Sequence, residues 1–253
     1  MRRSSKAGKT LVDPASLPGT RPGRLPKTLE LQLPERAASV PPGNQWLHEK
    51  KLEGYRLLAR VADDGVRLFD GDRSWRLPPL ERALARLPVK AALFDGQLAT
   101  LQADGTSSLG QFRRAVAAGQ LGRLVFHAFD LLHLDGYDLA DVELAQRKRA
   151  LRAVVTKGGA VSNRGPLRYL HHFEGNGTEL YADVCRLGLV GLVSRLATSR
   201  YRGGRSAEWL EIDCRDRAAV ASDVATHVLA RPRLASLGKL RPPLARTERT
   251  SDR

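Results

Sequence analysis

The chain has 253 residues, enough for one large domain or two small ones with a proper buried core. Hydrophobic residues make up 42%, and no apolar run reaches the roughly 18 residues that a membrane-spanning helix needs. Forty-two basic residues against 27 acidic ones give a formal net charge of +15, which argues for a polyanionic partner, nucleic acid first.

The first residues, Met-Arg-Arg-Ser-Ser-Lys, carry no apolar h-region, so secretion is not expected. Residues 1–24 are basic, rich in Ser, Gly and Pro and without periodicity, and are expected to be a mobile arm able to touch phosphates. From 25 to 44 repeated prolines predict an extended segment draped over a domain. Strands are predicted at 46–51, 55–62 and 65–69, with Asp63-Asp64-Gly65 as a hairpin turn. Pro78-Pro79 opens a helix through Leu87, a strand spans 90–101, and a short helix runs from Ser107 to Ala118.

The apolar run Leu124–Leu134 reads as a buried strand that turns at Asp135-Gly136. An amphipathic helix follows from Asp141 or Val142 to Val155, then a strand over 167–172. Thr178 is placed to cap a helix ending near Arg186, and strands at 190–195 and 207–214 close the domain. This mixture predicts an α+β domain over residues 25–215 with antiparallel sheets flanked by helices. Residues 216–253 read as a basic, largely irregular tail with at most a short helix over 217–230. Cys185 and Cys214 are far apart and in no metal-ligand spacing, and are expected as reduced, buried thiols in a cytoplasmic protein.

The stretch with the most chemistry is Trp46-Leu-His-Glu-Lys-Lys-Leu-Glu-Gly-Tyr-Arg56. It sets Lys51, Glu53, Gly54 and Arg56 on a strand, a turn and a second strand. A lysine attacks phosphorus only when deprotonated and confined. The glycine lets backbone approach a ligand closely, and the arginine can grip ribose or phosphate. Exposed hairpins carry the same pattern with solvated Lys and Glu, so it does not decide alone. Adjacent His171 and His172 point to opposite faces of a strand and have no third ligand in spacing, so no metal site is assigned. Arg200, Arg202 and Arg205 around Gly203-Gly204 form either a loop for phosphate backbone or a solvated basic loop.

Five ordered blocks resemble the ATP-dependent DNA ligases, and most of all the ligase domain of bacterial multifunctional end-joining ligases. They are the Lys51 stretch, Leu93-Phe-Asp-Gly-Gln97, Val125 through Gly136, Leu189-Val-Gly-Leu-Val-Ser-Arg195, and Tyr201 through Asp213. The resemblance implies a nucleotidyltransferase adenylation fold and a covalent AMP intermediate on Lys51, with ATP and Mg²⁺ as cofactors. By the same resemblance Glu49 lies beside the adenine, Arg56 holds the ribose, Phe129 stacks on the base, and Glu53, Gly54, Gln97 and Arg195 belong to the nucleotide site. Asp130 shares the Phe129 motif but is equally plausible as core. The implied partners are nicked or broken DNA, bound without sequence preference, and end-joining proteins such as Ku, in a bacterial cytoplasm at the nucleoid.

The departures are specific. Asp-Gly-Gln97 replaces Asp-Gly-Glu, Val190 replaces a metal-binding carboxylate, and Glu211 and Asp213 replace two lysines that meet nucleotide phosphates. The Arg-Asn-Gly element is replaced by Phe69-Asp-Gly-Asp-Arg73, and no five-strand succession for an OB-fold follows. The expectation is a ligase scaffold with impaired or lost activity, or a catalytically inactive relative that holds DNA or a repair partner.

Overall fold

The structure is a computed structural model and describes residues 12–71, 73–102, 105–157 and 165–214. Thirteen strands and four α-helices are found among them. The strands are β1 (Arg21–Pro22), β2 (Gln32–Arg36), β3 (Trp46–Lys50), β4 (Gly54–Ala62), β5 (Gly65–Asp70), β6 (Arg73–Trp75) and β7 (Ala92–Ala99). They continue with β8 (Val125–Leu134), β9 (Tyr137–Asp138), β10 (Leu167–Tyr169), β11 (His172–Glu174), β12 (Gly191–Leu196) and β13 (Gly204–Asp213). The helices are α1 (Pro78–Leu84), α2 (Leu109–Ala117), α3 (Leu144–Lys157) and α4 (Gly177–Arg186).

The first sheet runs β1-β9-β8-β7-β4-β5-β6, with β10 added to β8. The second runs β11-β3-β12-β13-β2. Pairing is antiparallel except for β10 with β8 and β2 with β13. Every residue of β8 is buried, as its unbroken apolar run requires. The turn after it uses left-handed backbone at both Asp135 (φ 46°) and Gly136 (φ 94°), the geometry that suits a tight hairpin. Ser108 caps α2 by accepting from the Gln111 N–H. Asn176, not Thr178, caps α4, because its side chain reaches the Thr178 N–H.

Side chains from both sheets meet in one apolar cluster, with Leu58, Phe69, Leu93, Phe129 and Leu132 against Trp209 and Tyr201. A second cluster of Val184, Leu192 and Ile212 packs α4 on the second sheet.

Three expectations change. Residues 12–24 do not behave as a mobile arm: Asp13 caps a 3₁₀ turn at Pro14–Ser16, and β1 pairs with β9. The proline-rich lead-in contributes β2, an edge strand beside β13, where a proline can sit because its missing N–H is not needed. Cys185 and Cys214 are not free thiols but form a disulfide between α4 and the end of β13, since Cys214 N–H bonds Val190 O and brings the two thiols together. Residues 1–11, the tail from 215 and the question of an OB-fold lie outside the described residues.

Candidate active site between the two sheets

Lys51 follows β3 directly, and its N–H donates to Gly191 O at 2.8 Å, which sets the loop against the start of β12. Its Nζ donates to Glu211 at 2.6 Å and also to Asp213, both on β13. The two acidic substitutions therefore hold the lysine between them. Gly54 is required here by β7: a Cβ would lie 2.0 Å from the Leu98 carbonyl oxygen. Glu53 faces the start of α2, where it accepts from Leu109 N–H, and its own N–H donates to Ser107 Oγ.

Arg56, on β4, forms a two-pronged pair with Asp95 on β7, at 3.0 and 2.6 Å. Asp95 is fully buried and also accepts from the Tyr201 hydroxyl at 2.8 Å, while Arg56 donates to Gln32 O. Against the pull of burial, the Asp95 carboxylate holds the Arg56 guanidinium above its ordinary range. Burial pushes Asp95 up despite that guanidinium. Gln97 stands opposite Arg56 in the β4–β7 register.

Phe129 is the extra residue of a β-bulge. Asp95 pairs with Asp130 and Gly96 with Ala128, so residue 129 has no partner on β7 and is re-aimed. Its ring receives the Arg195 guanidinium at 4.3 Å and Arg56 at 5.2 Å from the centroid. Trp209, fully buried, lies edge-on to Phe129 and takes Arg195 on its own ring at 4.5 Å. Arg195 is thus held between two aromatic rings, and it donates to Glu49. Burial lowers Arg195 to about 9.

Glu49 accepts from a second cation, Lys148 on α3, which also donates to Phe129 O and Leu170 O. Burial pushes Lys148 down to about 7. Sequence reasoning missed Lys148, because a lysine in an amphipathic helix reads as part of its solvated face. Its neighbour Arg147 decides the role of Asp130: the two form a bidentate pair at 2.8 and 2.9 Å, both fully buried. Asp130 is therefore a structural ion-pair residue.

The three arginines assigned to DNA are engaged within the fold. Arg200 pairs with Glu143 at 3.7 Å, Arg202 with Asp141, and Arg205 donates to Pro34 O. Arg202 remains exposed along its side chain. Among the described residues no group of three His, Cys, Asp or Glu side chains is arranged to hold a metal.

Residues 33–212 match the family described as ATP dependent DNA ligase domain. The chain belongs to the ATP-dependent DNA ligase family. The multifunctional non-homologous end joining protein LigD of Pseudomonas aeruginosa is 34% identical over 214 residues, which is 80% of this chain and 25% of that protein. The chain therefore spans about a quarter of the length of this relative. Its fold is similar to the ligase domain of Mycobacterium tuberculosis LigD, with TM-score 0.61, 27% identity and coverage of 73% of this chain and 59% of that one. It is also similar to a mycobacterial DNA ligase D complexed with ATP and MES, with TM-score 0.60, 26% identity and coverage of 73% and 60%. The mixed fold of sheets and helices is accordingly that of ligase adenylation domains.

Proposed function

We propose that this ligase domain has impaired or lost lysine adenylation and works chiefly by holding nicked or broken DNA. The observation that carries the reading is the pairing of Lys51 Nζ with both Glu211 and Asp213. In-line attack on an α-phosphate needs a free amine lone pair and a triphosphate stabilised beside it. Two carboxylates at that place occupy the amine and repel the phosphates. At an effective dielectric of about 20, unit charges 4 Å apart interact by about 4 kcal/mol. Each 1.4 kcal/mol or so costs a factor of ten in rate.

The two residues that the resemblance assigns to the adenine are engaged by the chain itself. Glu49 is satisfied by Lys148 and Arg195, and the Phe129 face carries the Arg195 guanidinium. With Val190 and Gln97 offering no charge to a metal, the residues present do not fit magnesium-ATP in the manner of an active ligase, and no chemical step is derived through it.

The charge of +15 supports DNA as the partner, bound through phosphates and therefore without sequence preference and steeply salt-dependent. The relation to LigD supports a place in end joining, with Ku as a candidate companion, in the bacterial cytoplasm at the nucleoid.

The test is incubation with α-labelled ATP and Mg²⁺ or Mn²⁺, comparing the wild type, Lys51→Ala and the double variant Glu211→Lys with Asp213→Lys. The expected result is no adduct in the wild type and in Lys51→Ala, with labelling rising in the double variant. A wild-type adduct, lost in Lys51→Ala, that forms at least as readily as in the double variant would overturn the reading.

A further inference from the structure

Lys50, one residue before Lys51, points away from Glu49 by strand alternation. It stands one step past the last β3–β11 pair, His172 with Glu49, beside the segment that joins β10 to β11. On β10, Arg168 lies directly across from His127 of β8 in the parallel register. His127 is only 4% exposed and its Nε2 is buried with no hydrogen-bond partner; Arg168 Nε is likewise buried and unsatisfied. Lys50 and Arg168 are half-buried, so each keeps a route to solvent.

Arg168 and His127 are cross-strand partners, Lys50 lies near enough for its charge to be felt by His127, and among the described residues no carboxylate pairs with any of the three. The charges that act on His127 are Lys50 and Arg168, and the one that acts on Lys50 is Arg168. Burial first, and then these cations, push His127 down to about 3; burial and Arg168 lower Lys50. Elsewhere in the interior cations are matched: Arg147 with Asp130, Lys148 and Arg195 with Glu49, Arg56 with Asp95. Gathering cations on half-buried ground costs free energy unless an anion completes the set.

We propose that Lys50, His127 and Arg168 form a binding site for a phosphate group, distinct from the Lys51 site. An arginine fork beside a lysine point charge suits phosphate oxygens, and a buried imidazole can add a donor once protonated. A terminal phosphate monoester carries about −1.5 to −2 at neutral pH and so matches two cations and a protonatable imidazole better than an internal diester does. The 5′-phosphate of a broken DNA end and a free phosphate share this chemistry. The site is independent of whether Lys51 takes AMP.

The test uses the full chain with isotope-labelled histidine, followed by NMR in chloride buffer. It is titrated with inorganic phosphate, with a 5′-phosphorylated duplex and with the same duplex ending in a 5′-hydroxyl. His127 is expected to shift on phosphate addition, and its titration to move upward, since an anion facing Lys50 from β3 and Arg168 from β10 favours imidazolium. Lys50→Gln and Arg168→Gln should each weaken phosphate binding about tenfold, the loss of one charge-assisted hydrogen bond. Preference for the 5′-phosphorylated duplex over the 5′-hydroxyl one identifies the DNA end as the source. Equal response to the two duplexes, with response to inorganic phosphate, identifies a small phosphate. Should Arg168→Gln unfold, Lys50→Gln still reads the site. An unmoved His127 with both inorganic phosphate and the phosphorylated duplex would overturn the proposal, as would binding unchanged in Lys50→Gln.

Discussion

His127 shows how one buried ring sets a response to acid. Burial beside Lys50 and Arg168 holds it near 3, far below the ordinary histidine value of 6.5. Between those values the unfolded chain binds a proton that the folded chain refuses, so stability is complete above about pH 6.5 and falls as pH is lowered. The slope is about 1.4 kcal/mol per pH unit, or about 2 kcal/mol between pH 7 and 5 from this group alone. Urea unfolding at the two pH values in phosphate-free buffer checks this, and His127→Gln should remove that share of the loss. An equal loss in the variant would show that other groups carry it. At this scale the sequence was legible in part. The reversal at Glu211 and Asp213 could be read from the motif positions. That both carboxylates reach the same Lys51 Nζ could not, because it depends on β13 running past the end of β3. That a Cβ at Gly54 would also collide with the Leu98 carbonyl could not be read from the motif. Charge matching between distant segments, as in Lys148 with Glu49, leaves no local signature at all.

Elements were more readable than contacts. The apolar run of β8 and the proline-opened α1 each carry a pattern that survives into the structure, and boundaries moved by a few residues. Short strands escaped notice: β1, β6 and β9 are two or three residues long, too short for any pattern to register. The disulfide escaped for a different reason. Cys185 ends α4 and Cys214 follows β13, 29 residues apart, and only the packing of that helix on that sheet brings them to a Cα separation of 5.4 Å. Closing a loop of that length should contribute about 3.6 kcal/mol, chiefly by restricting the unfolded chain. Cys185→Ala, or reductant on the wild type, is expected to lower the urea midpoint accordingly. A midpoint indifferent to reductant would mean the tie contributes nothing.

At the scale of the molecule, the mixed α+β class and largely antiparallel sheets were legible, whereas the order of strands was not. The first sheet is mostly built from neighbours, with β4, β5 and β6 in sequence and β7 beside β4 and β8. The second is built almost wholly from distant pieces: β3 waits for β11 and β12, and β2 pairs with β13, whose first partnered residue, Gly204, meets Gln32. Loop closure must be offset before such contacts contribute, so they form late. On a ribosome this gives a timetable. The β4–β8 sheet can close while the end of the chain is still being made, but the β2 and β3 edges stay unpaired until nearly every residue has emerged. Proteolysis of stalled nascent chains should therefore protect residues 54–134 in a product ending near 165, and residues 32–50 only in one that has released Cys214. Equal protection of the two stretches in the shorter product would refute that order. The lysine at the end of β3 is consequently among the last parts of the fold to find its place, and a chain interrupted late in synthesis presents two open strand edges to whatever protein lies nearest.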